Sequence, residues 1–83
     1  MKILYFAWMR DHIGTSRETR PLPQGVSTVA GLVQHLRQQS PGHARALSDM
    51  AVVRVAVNQV YGDENSPLSE GDEVAFFPPV TGG

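Results

Sequence analysis

Short runs of branched and aromatic residues along the chain predict four β-strands. Residues 2–8 (Lys-Ile-Leu-Tyr-Phe-Ala-Trp) and residues 73–77 (Glu-Val-Ala-Phe-Phe) are dense in such side chains. Residues 52–58 alternate between valine and smaller or polar residues, as a half-buried strand does. Residues 17–20 are polar, which an exposed edge strand tolerates. We expect the first and last strands to be central, because both are apolar at both parities.

A helical spacing of apolar residues follows the second strand. Thr28 can serve as an N-cap, and four apolar positions then recur on one stripe: Val29, Leu32, Val33 and Leu36. Ser40 and Pro41 signal a second, short helix through Ala46 and Leu47, since proline is favoured at the first helical position. The order of strands and helices predicts an α+β domain with helices on one face of a mixed sheet.

Turn-forming residues separate these elements. Residues 9–15 include charged residues and a glycine, and they predict a turn with room for one helical turn. Asn58, Gly62 and Asp63 mark loops after the third strand, and residues 70–72 mark a turn before the last strand. We therefore expect an irregular connection between the last two strands.

Alternation along the strands assigns their side chains to two faces of the sheet. If the charged residues Lys2, Arg54 and Glu73 mark the solvent side, the outer face carries four apolar residues: Leu4, Phe6, Ala75 and Phe77. Two phenylalanines on an exposed sheet face predict a docking surface for another protein. The alternative is that the short helix or a loop covers these residues as ordinary core.

The composition narrows the class of protein. The chain has 83 residues, a net charge of −1 and no cysteine. This length fits one domain over residues 1–77 with an extended tail over residues 78–83. The sequence has no basic stripe of the kind that binds nucleic acid, so we expect no nucleic acid partner. Because cysteine is absent, we expect neither disulfides nor thiolate metal sites. A signal-peptide pattern and an apolar stretch of roughly 20 residues are both missing, so we expect a cytoplasmic protein with no membrane partner.

The folded body offers few candidate catalytic groups. His12, His35 and His43 have no partner at metal-ligand spacing on a shared helix face. We therefore expect no metal site and predict that each histidine lies at the surface in contact with solvent. No strand-to-helix elbow positions a nucleophile, and no glycine-rich phosphate loop follows a strand. The body is predicted to hold no active site.

The end of the chain has a different composition. Residues 78–83 carry no charge, and the two prolines stiffen the exit from the sheet. Because glycine lacks a Cβ, a Gly82-Gly83 terminus can pass through a narrow channel and let another enzyme approach its carboxylate. A frayed end is the ordinary alternative.

The stretch over residues 70–83 (Glu-Gly-Asp-Glu-Val-Ala-Phe-Phe-Pro-Pro-Val-Thr-Gly-Gly) closely resembles the ending of molybdopterin synthase small subunits, a family of ubiquitin-like sulfur carriers. Weaker similarity spans the whole chain, at the aromatic first strand running into Arg10-Asp11, at Gly14, at Thr28-Val29 and at Val57-Asn58. The resemblance implies the ubiquitin-like β-grasp fold with a flexible Gly-Gly tail, in agreement with the α+β order above.

The resemblance also implies a chemistry. An E1-like adenylating enzyme would use ATP to join the Gly83 carboxylate to AMP, and a persulfide from a sulfurtransferase would displace AMP to leave a thiocarboxylate. The tail would then enter the large synthase subunit, within a heterotetramer of two small and two large subunits. There, two deliveries would convert cyclic pyranopterin monophosphate into the dithiolene of molybdopterin. The chain itself would bind no cofactor and would donate sulfur without supplying catalytic groups.

Residue roles follow from the same resemblance. Gly83 would carry the adenylate and then the sulfur, and the residues threading the channel would be Gly82, Thr81 and Val80. The interface with the large subunit would include the aromatic residues Phe6 and Phe77 with their outer-face neighbours Leu4 and Ala75. Arg10 aligns with a family arginine near that surface, with a plain surface charge as the alternative. Trp8 departs from the expected polar residue, so either it enlarges the docking patch or the first strand ends earlier.

Three other functions remain open from the sequence. A related carrier could deliver sulfur to thiamine or another thiolated product, although such relatives generally lack the Phe-Phe-Pro-Pro-Val-Thr segment. A ubiquitin-like modifier would be joined through Gly83 to lysines of target proteins. A plain interaction module would use its exposed aromatic residues and leave the tail idle.

Overall fold

The computed structural model describes residues 1–79, which form a mixed β-sheet with helices. One 3₁₀ turn, over Met50–Val52, lies before the third strand. The strands are β1 (Lys2–Tyr5), β2 (Arg17–Thr19), β3 (Arg54–Val57), β4 (Val60–Gly62) and β5 (Glu73–Phe77), and the helices are α1 (Trp8–Ile13), α2 (Val29–Arg37) and α3 (Pro41–Ala46).

The five strands form one sheet in the order β2-β1-β5-β3-β4. β1 and β5 run parallel, whereas the other neighbouring strands are antiparallel. The prediction that the first and last strands are central is confirmed, because β5 is the middle strand and β1 lies beside it. β2, the polar strand, forms one edge, as its composition predicted.

The core lies between one face of the sheet and the helices. From the sheet, Ile3, Tyr5, Val74 and Phe76 are buried, and α2 contributes the predicted stripe of Val29, Leu32, Val33 and Leu36. Each such side chain contributes about 1.5–3 kcal/mol when it is fully buried. The N-caps are also confirmed, since Thr28 Oγ1 accepts a hydrogen bond from Gly31 N and Ser40 Oγ accepts one from His43 N. The predicted α+β architecture is confirmed.

The first strand is shorter than predicted. β1 ends at Tyr5, and Ala7 takes a positive φ of 54° that turns the chain into α1. Trp8 therefore begins a helix and packs, half-buried, against the core. The predicted turn over residues 9–15 is largely occupied by this helix, which ends at Gly14 with a φ of 94°. Residues 6–8 resemble a strand in composition, but the backbone reversal at Ala7 ends the pairing.

The region after Asn58 contains a strand where the sequence predicted only loops. Asn58 and Gln59 both have positive φ, of 51° and 68°, and form a two-residue hairpin turn. β4 follows at once and pairs antiparallel with β3, with Val57 opposite Val60. β3 in turn begins at Arg54, two residues later than predicted, because the 3₁₀ turn occupies the preceding residues.

Candidate docking face and C-terminal tail

The sheet has one face that none of the described helices covers. Leu4 and Ala75 lie side by side across β1 and β5, and Ala56 continues the same row on β3. Together with Phe6 and Phe77 they line a shallow, mainly apolar depression whose rim includes Gln59 and Glu73. We call these five apolar residues the docking face. The alternative that a helix or loop covers them is wrong for residues 1–79.

Exposure distinguishes this face from the core. The Phe6 side chain is 47% exposed, and Leu4, Ala75 and Phe77 are half-buried, whereas Phe76 is 0% exposed. Contiguous apolar surface that is open to solvent is a feature of faces that contact other proteins. The sequence prediction that Leu4, Phe6, Ala75 and Phe77 share the face of the sheet opposite the core is confirmed. Their contact with a partner remains a prediction.

Tyr61 extends the same surface, although the strand pattern did not predict it. Tyr61 lies on β4 opposite Ala56, is 75% exposed, and has its ring centroid 5.8 Å from that of Phe77. Its position depends on the hairpin turn after β3. The signal that could have revealed it was the two-residue, asparagine-led turn between the valine-rich third strand and the strand-forming pair Val60-Tyr61.

Arg10 lies on α1 rather than on a strand. Its side chain is exposed, and its Nε lies 3.8 Å from Asp11 Oδ1. Arg10 does not line the depression of the docking face. A role for Arg10 at the partner surface therefore stays a prediction.

Hydrogen bonds of Asn58 fix the end of the sheet at which β3 turns into β4 and β5 begins, beside the docking face. Asn58 Nδ2 donates to Asp72 Oδ1 at 3.1 Å, and Glu73 N donates to Asn58 Oδ1 at 3.0 Å. The backbone N–H of Ser69 donates to Asp72 Oδ2, and this bond, followed by the one from Asn58, holds the pKa of the Asp72 carboxyl below its usual value. The β3–β4 turn is thereby tied to the start of β5.

A buried polar cluster lies beneath the sheet, and it corrects one prediction. His43 is only 6% exposed, so the expectation of a surface histidine is wrong there. His43 Nε2 lies 3.0 Å from Glu18 Oε2, and the Tyr5 hydroxyl donates to the same oxygen at 2.6 Å. Ser40 Oγ lies 2.7 Å from His43 Nδ1, and an Arg20 guanidinium nitrogen lies 3.2 Å from Glu18 Oε1. Of the other histidines, His12 is exposed as predicted and His35 is half-buried.

The electrostatics of this cluster favour a charged Glu18. Burial acts to raise the pKa of the Glu18 carboxyl, but hydrogen bonds from His43 and Tyr5 and the charge of Arg20 outweigh it and lower the pKa. Burial, followed by the bond to Glu18, raises the pKa of the Tyr5 phenol. The cluster joins β1 and β2 to α3. Since the Ser40 hydroxyl is engaged as the N-cap of α3 and the His43 ring is buried, this arrangement fits a structural role.

No group of three potential metal-ligating side chains occurs within residues 1–79. In the same part of the chain, no helix has both the length and the apolar composition needed to cross a bilayer. The described body thus presents a docking face and a structural cluster.

The tail leaves the sheet beside the docking face. β5 is the central strand, and the chain continues from Phe77 through Pro78 and Pro79, both half-buried. The residues predicted to thread a channel and carry sulfur are Val80, Thr81, Gly82 and Gly83, and they lie outside the described residues. The chain that leads to the terminus therefore leaves β5 directly after Phe77, a residue of the docking face.

A mixed five-stranded sheet with helices on one face and an apolar opposite face defines the class of ubiquitin-like β-grasp proteins. The sequence profile of the ThiS family matches residues 3–83. The chain therefore belongs to the ThiS family.

Individual relatives agree with this assignment. The chain is 45% identical over 83 residues to the molybdopterin synthase sulfur carrier subunit of Escherichia coli K12, covering 100% of this chain and 99% of the relative. Among solved structures, the putative molybdopterin converting factor subunit 1 from Pyrococcus furiosus matches with a TM-score of 0.74 at 31% identity, covering 95% of each chain. SAMP1 from Haloferax volcanii matches with a TM-score of 0.73 at 26% identity, covering 100% of this chain and 98% of the other.

Proposed function

We propose that this chain is the sulfur carrier subunit of molybdopterin synthase and acts in molybdenum cofactor biosynthesis. The observation that carries the proposal is the full-length, 45% identical match to a protein of that name. The exposed docking face next to the start of the tail supports it, because a carrier must present its terminus to partner enzymes. The cytoplasm, where partner enzymes and ATP are present, is the compartment that we propose.

The chemistry that we propose takes place at Gly83. An E1-like enzyme directs a carboxylate oxygen of Gly83 to the α-phosphorus of ATP, and pyrophosphate leaves. A carboxylate is a poor acyl donor, whereas the resulting acyl adenylate has AMP as a good leaving group. The terminal sulfur of a persulfide then attacks the carbonyl carbon, forms a C–S bond and expels AMP. A thiol next attacks the donor's sulfur in the resulting acyl disulfide, so that the original S–S bond breaks, a disulfide forms between the thiol and the donor, and the thiocarboxylate is released. Because the chain contains no cysteine, it has no side-chain thiol on which to carry this sulfur.

The partner that receives the sulfur is the large subunit of molybdopterin synthase, in a heterotetramer of two small and two large subunits. Phe6, Phe77, Leu4 and Ala75 dock against it, and the tail residues Val80 to Gly82 enter its channel. Two deliveries convert cyclic pyranopterin monophosphate into the dithiolene. The acid–base groups and the substrate contacts belong to the large subunit, so this chain binds no cofactor and acts as the sulfur donor.

Intact-mass spectrometry tests the chemistry directly. The protein is incubated with an adenylating enzyme, ATP and a sulfurtransferase loaded with persulfide. We expect a mass increase equal to the replacement of one oxygen by sulfur. A protein lacking Gly83 should keep its fold but show no increase in mass. An unreactive terminus would refute the proposal in favour of a plain interaction module. Covalent adducts to lysines of other proteins would instead indicate a modifier.

A second reconstitution separates molybdopterin from other products. Thiocarboxylated protein is mixed with the large synthase subunit and cyclic pyranopterin monophosphate, and molybdopterin is measured. We expect its formation in this mixture. Sulfur delivery only to a thiamine-pathway acceptor would contradict the assignment while leaving the carrier chemistry intact.

A further inference from the structure

The outer face of the sheet carries more positive than negative side chains. Arg17 lies opposite Leu4 across β2 and β1, so the two side chains share this face. Arg54 lies opposite Phe77, and Lys2 lies opposite Glu73. Arg17, Arg54 and Lys2 are all exposed. They form a cationic rim around the docking face.

Among the described residues these three cations have no carboxylate partner, in contrast to two arginines elsewhere. Within residues 1–79, Arg10 pairs with Asp11 and Arg20 pairs with Glu18, but no carboxylate lies within ion-pair distance of the rim residues. Unpaired exposed charges retain their long-range field and can act on a partner in solution.

The charge of the rim is opposite in sign to that of the rest of the chain. Among the described strand residues whose side chains lie on the outer face, there are three cations and one carboxylate, that of Glu73, which gives a net side-chain charge of +2. The remaining side chains comprise four cations and seven carboxylates, a net −3. The positive potential is therefore concentrated on the surface that also carries the exposed apolar residues.

We propose that the surface of the partner that receives the docking face has an apolar centre flanked by carboxylates, and that Arg17 and Arg54 select and steer it. This inference rests on the proposed function, because it describes the large subunit of that complex. Arg17 and Arg54 lie three strand spacings apart, about 14 Å across the sheet. The apolar residues lie between them, so the two arginines would meet acidic groups on opposite sides of the contact.

The combination of features favours an acidic protein surface over a nucleic acid. An open apolar face that includes Phe6 and Phe77, with only three cations around it, suits a protein interface, where apolar contacts lie centrally and charges lie at the edge. Rim charges act mainly on the association rate and on partner choice, and salt screens them. The effect of the rim is therefore expected in the association rate constant at low ionic strength.

Stopped-flow association of the full chain with the large synthase subunit tests the inference at low and high salt. We expect Arg17→Glu combined with Arg54→Glu to lower the association rate constant about tenfold at low salt, and the difference to shrink at high salt. Arg45→Glu is the matched control, because Arg45 is exposed on α3 and lies off this face. It should change the rate little. If the double variant with two glutamates impairs folding, the double variant Arg17→Gln and Arg54→Gln removes the two charges without reversing them and should lower the association rate constant less.

The outcomes separate the rim from the docking face. If both double variants at Arg17 and Arg54 associate as fast as the unchanged protein while Phe77→Ala weakens binding, the acidic partner surface is refuted and the role of the docking face is supported. If Phe77→Ala also binds normally, the docking face fails together with its part in the proposed function. If only binding to single-stranded DNA responds to the arginine changes, the rim serves a polyanion and the inference is overturned.

Discussion

Phe76 and Phe77 are neighbours in the chain, yet they belong to opposite faces of the central strand. Phe76 is 0% exposed, with its ring stacked on Tyr5 at a centroid distance of 6.2 Å, and it lies beneath the helices. Phe77 is half-buried on the open face, next to Tyr61. The same type of side chain therefore stabilises the fold at position 76 and remains available for a partner at position 77.

The largest expected effect is on the core face. Phe76→Ala should lower the free energy of unfolding by about 3–5 kcal/mol, because it leaves a cavity among well-packed side chains. Phe77→Ala should lower the free energy of unfolding by less than half as much. Urea unfolding of the two variants measures both values. Equal losses would contradict the assignment of these residues to different faces.

The buried polar cluster should give the next effect. Glu18→Gln should lower the free energy of unfolding by about 1–3 kcal/mol, since Tyr5 and His43 lose a charged hydrogen-bond partner. Thr19→Ala, at an exposed position of the same strand, is the control.

The difference between Glu18→Gln and the unchanged protein should also depend on pH. Because the fold lowers the pKa of Glu18 below its ordinary value of 4.5, this stabilisation is complete above about pH 4.5 and is lost as the pH falls through the lowered pKa. Urea unfolding from neutral to acid pH follows the difference. A gap between the two proteins that stays constant down to strongly acid pH would argue against an ionised Glu18.

On the docking face, Phe77→Ala should weaken binding to the large subunit by more than about 1 kcal/mol if the ring becomes a buried anchor. Calorimetric titration measures the affinity, and circular dichroism checks that the variant is folded. Unchanged affinity would remove Phe77 from the interface.

Tyr61→Ala should give the smallest effect, a loss of binding of at most about 1 kcal/mol, because the ring lies at the edge of the docking face. The unfolding transition should stay nearly unchanged, since the side chain is mainly exposed. Val60→Ala, on the same edge strand, is the control. A larger loss for Tyr61→Ala than for Phe77→Ala would shift the centre of the contact towards β4.

Parity along the strands predicted the docking face well. The charges at Lys2, Arg54 and Glu73 correctly marked the solvent side, and the apolar stripe of α2 correctly marked the other. Residues on regular strands follow a period of two, so local sequence determines their face once the strand is recognised.

Non-local contacts and unusual backbone conformations explain the errors. The burial of His43 depends on Glu18, which is 25 residues away in the chain. The end of β1 depends on the positive φ of Ala7, and β4 depends on positive φ at Asn58 and Gln59, which lack the glycine that usually signals such turns. Tyr61 was missed because its strand was missed.

The central claim is that the docking face presents the tail while the terminal carboxyl group reacts. Single-turnover sulfur transfer from thiocarboxylated Phe77→Ala protein, measured over increasing concentrations of the large subunit, tests this claim most directly. We predict that the variant needs a higher concentration of the large subunit to reach half of its maximal rate. At saturation its rate should equal that of the unchanged protein, because only docking is impaired. A rate that stays low at saturating large subunit, with affinity unchanged, would contradict the account.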